Sequence, residues 1–412
     1  MRERDDGGIG IPMAEFITLT AFMMALTAFS VDIMLPLLPE IVNDFELTDD
    51  NHQQFMVTLY LFSFAVGQIF VGPISDRVGR KPVLLVGLLI YLVGAVLSIF
   101  AESYTALLLA RAIQGIGAAG PRVVAVAIVR DRFVGRAMSQ VMSFVLTVFI
   151  ILPVIAPSVG ALIGEFGTWR HVFGFLLLFG LITACWTFVR LPETNPRRGE
   201  NVRPPVPVKA ALATIVGSAQ TVGYMVALGF VFGCLMTYVS TTQQVFEDIY
   251  GIVDWFPIVF GAVAAMMCVS SVVNAQLVLR LGMRRLSHLG ALGLAVVSAL
   301  AALSSFIVDP LPLPVLMGFL GLSFFLMGLI LPNFNALAME PLGHIAGTGS
   351  SFIGFVMTGL GAILGGIAGQ FYHGSLDALL VAFVVYSFAV VGIVLVVERG
   401  EIMRPSPRSV DG

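Results

Sequence analysis

Long apolar runs, separated by short clusters of charged residues, Gly and Pro, recur along the whole chain. Twelve runs approach or exceed the roughly 20 residues that cross a hydrocarbon core. They lie at about 16–39, 53–73, 82–102, 105–129, 138–163, 170–191, 221–246, 255–279, 286–308, 313–338, 345–371 and 376–397. The runs are long and lack period-2 alternation, so they predict helices rather than a barrel. The expected fold class is all-α and integral to the membrane, with two bundles of six helices.

The longest polar interruption, from Pro192 to about Gln220, is rich in Pro and Arg. It reads as a semi-rigid linker between the halves. The expected organisation is an N-terminal segment 1–15, a bundle 16–191, a linker 192–220, a second bundle 221–397 and a tail 398–412. The halves echo each other. Asp76-Arg77-Val78-Gly79-Arg80-Lys81 returns as Leu279-Arg280-Leu281-Gly282-Met283-Arg284, without the Asp. Gly160 and Gly164 return as Gly365 and Gly369, as in a duplicated half.

Composition agrees with lipid as the main solvent. The 412 residues are 58% hydrophobic and 11% charged, against about 25% charged in soluble domains. Of the 22 Lys and Arg residues, 19 fall on the side of the membrane that an even span count gives to both termini. The positive-inside rule makes that side cytoplasmic. Of the rest, Arg170 lies on the far side, and Arg111 and Arg122 lie within the fourth span. The net charge of −3 brings no basic domain for nucleic acid. The run after the polar N-terminus is too long for a signal-peptide core, so it reads as a retained span. Cys185, Cys234 and Cys268 read as small apolar core residues. The five histidines, scattered near span ends, read as interfacial polar residues rather than metal ligands. No phosphate-binding GxxxxGK[ST] loop occurs, no cofactor is expected, and no nucleophile–base–acid set for an enzyme is visible.

Asp32 is the only acid well inside a span. A charged Asp at a helix centre costs about 2.5–3.5 kcal/mol on insertion scales. Burial opposes ionisation of a carboxylate and a nearby cation favours it. Such a group can load and release a proton as its surroundings alternate between dry and wet. It can equally serve as a partner for an arginine. Arg111 is the natural partner, because both residues sit roughly 9 Å below the outer surface at 1.5 Å per residue. Gln114 shares a helical face with Arg111. Tyr60, Gln68, Gln114, Tyr224, Met236 and Tyr238, with Asp32, are candidate cavity residues by their positions in the spans. Pro153 and Pro157 remove two backbone donors from the fifth span. With Gly160 and Gly164 they suggest either a pliable gating helix or close packing.

The segment Gly72 to Lys81, between the second and third spans, resembles the signature loop of the major facilitator superfamily of transporters. Leu107 to Ala119 resembles a second motif of that family, and Ala156 to Ala161 the fifth-span motif of its drug/proton antiporters. In the last, Ala156 and Ala161 stand where that motif has glycines. Asp32 to Pro39, Gly67-Gln68, Ala127 to Asp131 and Ala346 to Ser351 bring the chain near the Bcr/CflA branch of multidrug efflux carriers. The resemblance covers nearly the whole chain.

The resemblance implies rocker-switch alternation of two pseudo-symmetric halves around a central cavity. Gly72, Asp76, Arg77, Gly79 and Arg80 would form a gating latch, with Asp76 meeting the start of the eleventh span. Arg111 would be the buried arginine tied to proton transfer, and Asp32 the proton site. Some related carriers place a second acid two turns earlier, where this chain has Met24. The expected function is proton-coupled export of small amphipathic drugs or toxic compounds by a monomer in the bacterial inner membrane. Its partners would be the substrate, protons and the lipid bilayer. A proton-coupled carrier of a specific metabolite and a non-transporting membrane sensor are the alternatives.

Overall fold

A computed structural model describes residues 11–133, 135–194 and 208–400. The residues at 1–10, residues 195–207 of the linker and the tail beyond 400 lie outside the described residues. So do the expected topological charges Arg2, Arg4, Arg197, Arg198, Arg203, Arg404 and Arg408. The chain forms two compact units, 1–208 and 209–412.

The first unit runs α1 (Met13–Asp32), α2 (Leu38–Asp44), α3 (Phe55–Val78), α4 (Arg80–Ile99), α5 (Tyr104–Arg132), α6 (Gly135–Phe166) and α7 (Trp169–Arg190). The second begins with α9 (Ala219–Gln244). It continues with α10 (Phe256–Leu281), α11 (Met283–Ser305), α12 (Leu313–Met339), α13 (Ala346–Gln370) and α14 (Asp377–Val397). Between them α8 (Val208–Gly217) turns the end of the expected linker into helix. It starts where the prolines of the linker stop. Among the described residues, eleven segments are long and apolar enough to cross a membrane. The twelfth, in α6, contributes the shorter apolar stretch Ile151–Phe166.

The same helix pairings recur in both units. α5 packs along α3 and α4, as α12 packs along α10 and α11. The pairing of α1 with α6 is repeated by α9 with α13, and that of α4 with α7 by α11 with α14. The echoed glycines mark equivalent contacts. A Cβ on Gly160 of α6 would stand 1.8 Å from the Ile33 carbonyl oxygen. One on Gly365 of α13 would stand 2.5 Å from Cβ of Met236 in α9. Small residues at such crossings let helices meet at backbone distance. Large apolar side chains face outward, among them Phe70, Leu89, Leu178, Phe188, Leu300 and Phe388. In water such a surface would be an aggregation hazard, whereas lipid solvates it.

Two expectations about local structure change. The first span is not one helix. α1 ends at Asp32, and a 3₁₀ turn over Leu35–Leu37 leads into α2. Pro36 has no N–H to give the Asp32 carbonyl, and Pro39 has none for Leu35, so the helical ladder fails there. The segment 72–81 is not a loop either. α3 continues through Pro73 to Val78, and the reversal into α4 is made at Gly79 alone, at φ 123°. Gly282 makes the equivalent turn between α10 and α11 at φ 77°. That backbone region suits glycine.

Candidate functional site

Four helices of the first unit bury a guanidinium. Arg111, on α5, is 0% exposed. Its Nη2 donates to the Ser30 carbonyl of α1 at 2.8 Å, and its Nη1 to Oε1 of Gln114 at 2.6 Å. Nε reaches the Met56 carbonyl of α3 at 3.4 Å, and the guanidinium lies 4.2 Å from the centre of the Tyr60 ring. From α4 the Tyr91 hydroxyl meets Oγ of Ser30 at 2.8 Å. Glycines admit this arrangement: a Cβ on Gly115 would stand 2.2 Å from the Tyr60 carbonyl oxygen, and one on Gly117 2.2 Å from the Tyr91 nitrogen.

Asp32 lies on α1 two residues beyond the carbonyl that holds Arg111. It is 6% exposed. The expected Asp32–Arg111 ion pair is not formed; among the described residues Asp32 makes no salt bridge. Arg111 takes backbone carbonyls, a glutamine and an aromatic face instead, all of which solvate a cation without neutralising it. The cation on α5 therefore grips the backbone of α1 near Asp32 in sequence and is not paired with its carboxylate. Among the described residues, Nε2 of Gln68 is buried without a hydrogen-bond partner.

A second cluster gathers where α3, α5 and α7 end and α4 begins. Arg80, 4% exposed, holds Asp76 at 2.6 Å, Asp131 at 2.7 Å and the Ser75 hydroxyl at 2.7 Å. Glu193 accepts from the backbone N–H groups of Arg80 at 2.9 Å and Lys81 at 3.3 Å, capping α4. A carboxylate at a helix N-terminus satisfies free donors and faces the positive end of the dipole. A Cβ on Gly79 would stand 2.5 Å from Oε2 of Glu193. Arg77, expected beside Arg80 in the latch, is exposed and does not join the cluster. Asp131 and Glu193 escaped the sequence reading as members of it. Their signal was an acid at the same-side end of the fourth and sixth spans.

The remaining expected residues separate. Gln68 and Gly72 are buried along α3. Pro153 and Pro157 lie within α6, which stays helical through both. Met236 packs on Gly365. Tyr238 is enclosed by Phe260 and Phe324, with ring centres 5.1 and 4.7 Å away. Tyr224 sits near the start of α9, with its hydroxyl directed to His288 and Glu398. His288 is buried within the second unit.

Comparison with known proteins sets this geometry in context. The family described as the Major Facilitator Superfamily matches residues 20–366. A bicyclomycin resistance protein homolog of Haemophilus influenzae is 31% identical over 364 residues, covering 85% of this chain and 88% of that protein. Multidrug resistance protein D of Escherichia coli is 31% identical over 183 residues, covering 44% of this chain and 45% of that protein. Among solved structures, the human organic anion transporter MFSD10 (TETRAN) aligns with a TM-score of 0.70 at 17% identity, over 94% of this chain and all of that one. The E. coli xylose transporter XylE, in a partially occluded inward-open conformation, aligns with a TM-score of 0.71 at 13% identity. That alignment covers 94% of this chain and 97% of that one.

Proposed function

The chain belongs to the Major Facilitator Superfamily, and on that premise we propose that it exports small amphipathic drugs or toxic compounds in exchange for protons. It is a multi-pass membrane transporter of small molecules and not an enzyme. The finer reading is alternating access across a bacterial inner membrane by a monomer, with both termini cytoplasmic. The one-sided distribution of Lys and Arg supports that orientation, and the names of the relatives support drugs as cargo.

The observation that carries the reading is Asp32: a buried carboxylate at the broken end of α1, with no salt bridge among the described residues, two residues beyond the carbonyl that accepts from Arg111. A lone carboxylate takes a proton when its surroundings dry and loses it when they are wet. Arg111, bound to the carbonyl two residues before Asp32, would tune that step through α1. Tyr60, Gln68 and Gln114 are the nearest candidates for cargo contact in the first unit, and Met236, Tyr238 and Tyr224 in the second. Gly72, Asp76, Gly79 and Arg80, with Pro153, Pro157 and Gly160, form the gating set, and Arg77 stands exposed beside it. Residues 16–191 and 221–397 act as the two working halves. Each entering proton supplies about 2.3 kcal/mol per 100 mV plus about 1.4 kcal/mol per pH unit. One proton per cycle then sustains a gradient of roughly tenfold to several hundredfold.

Dye and antibiotic accumulation in efflux-deficient cells tests this. Cells expressing the wild type should accumulate less than cells expressing Asp32→Asn, and a protonophore should erase the difference. Equal accumulation across a broad panel would overturn drug export. Export unaffected by Asp32→Asn would overturn the role of Asp32.

A further inference from the structure

The second unit contains a buried, titratable cluster of which the transport reading uses Tyr224 alone. We propose that His288, Tyr224 and Glu398 form a second proton-binding site, whose occupancy controls the ion pair between Glu398 and Arg284.

The cluster sits where α9 and α11 begin and α12 and α14 end. The Tyr224 hydroxyl lies 2.9 Å from Nε2 of His288 and donates to Oε1 of Glu398 at 2.6 Å. Its one proton is committed to the carboxylate, so Nε2 of His288 must be the donor to the hydroxyl oxygen. The three groups make a directed chain from imidazole N–H through hydroxyl to carboxylate. Its other end is fixed: Oε2 of Glu398 accepts from Nη1 of Arg284 at 3.1 Å. His288 and Tyr224 are each 1% exposed, and the Glu398 side chain is 7% exposed.

Every packed element supplies a charged or polar group. α9 gives Tyr224 and Gln220, α11 gives His288 and Arg284, and the chain beyond α12 gives Glu340. Glu398 comes from beyond α14. Glu340 lies 3.6 Å from Arg284 and accepts from Gln220 at 2.8 Å. Arg284 therefore has a second carboxylate available when Glu398 lets go.

The corresponding cluster of the first unit shows the difference. There Asp131 and Glu193 take guanidinium and backbone N–H donors. Such donors do not titrate in the physiological range. In the second unit one oxygen of the acid is given to a tyrosine backed by a histidine, the residue whose charge changes nearest neutral pH.

The transfer conserves charge. A proton adds to the imidazole. The Nε2–H bond then breaks as the proton passes to the Tyr224 oxygen, and the Tyr224 O–H proton passes to Oε1 of Glu398. The imidazole returns to neutral, the tyrosine is unchanged, and the carboxylate becomes a carboxylic acid with no ionic hold on Arg284. The site does not involve Asp32, and it stands or falls separately from the export reading.

Infrared difference spectroscopy of the full-length protein in lipid nanodiscs, recorded between neutral and acidic pH, tests it. Acidification should produce a protonated-carboxyl band that survives Asp32→Asn and disappears in Glu398→Gln. An imidazole band, assigned by its loss in His288→Gln, should titrate together with that carboxyl band. In Tyr224→Phe the two should separate. Should Glu398→Gln fail to fold, Tyr224→Phe decides the matter, since it deletes one oxygen. A carboxyl band untouched by Glu398→Gln, or identical midpoints in the wild type and Tyr224→Phe, would overturn the proposal.

Discussion

Gly160 touches Ile33 backbone to backbone: no side chain fits between α6 and the point where α1 breaks. The contact falls on the residue next to Asp32. Gly160→Ala should therefore force the helices apart or shift the break, at an overpacking cost of about 1–3 kcal/mol. Gly164→Ala meets only the tip of the Leu37 side chain, which can turn away. Thermal unfolding of the purified protein should show a clearly larger drop for Gly160→Ala; equal melting temperatures would contradict the contact.

The two glycine turns offer a matched comparison. Gly79→Ala and Gly282→Ala both place a Cβ at positive φ, at about 1–2 kcal/mol each. At Gly282 that is the whole cost, because nothing lies within 4 Å. At Gly79 the new atom also strikes the carboxylate that caps α4. The first unit should therefore lose more stability than the second, and hydrogen exchange at the start of α4 should rise only in Gly79→Ala. Unchanged protection there would remove Glu193 from its role as a cap.

Arg111→Lys tests how the buried cation is held. An ammonium cannot keep the planar fork between the Ser30 carbonyl and Gln114 while lying over Tyr60. Charged hydrogen bonds of this kind contribute about 1.5–3 kcal/mol each. A loss of at least about 2 kcal/mol is expected, together with loss of export. A lysine variant as stable and active as the wild type would show that charge alone suffices.

Buried and exposed ion pairs should part company. Arg170–Asp44 is exposed, and Arg170→Ala should cost no more than about 1 kcal/mol. Arg80 is buried with Asp76 and Asp131. Removing its side chain strands carboxylates, at about 3–5 kcal/mol. Similar melting temperatures for Arg170→Ala and Arg80→Ala would refute the distinction.

Much of the fold was legible because lipid enforces simple rules. Long apolar runs must be helices, and charges must sit between them, so the spans and the division into halves follow from the pattern. The site was legible only where a side chain advertises itself. Asp32 and Arg111 stand out as charges inside apolar runs, but their expected pairing failed. Arg111 is held by the carbonyls of Ser30 and Met56, and a carbonyl has no residue letter. The break after Asp32 was written in Pro36 and Pro39 yet lost in the hydropathy of the span. Gly79 and Gly282 were matched by their common motif. Their acidic companions were not, because Asp131 in one unit answers to Glu340 in the other, and Glu193 to Glu398.

The latch around Arg80 also bears on how the protein is made. Its partners Ser75, Asp76 and Asp131, and the Glu193 that caps the same helix, all precede residue 195. Among the described residues, the cluster of the second unit draws on Gln220, Tyr224, Arg284, His288, Glu340 and Glu398, all later in the chain. During synthesis, the first unit thus has these fastenings in hand by the time the ribosome reaches the interval between them. Each half can close its helix ends on its own account, without waiting for the other to be translated.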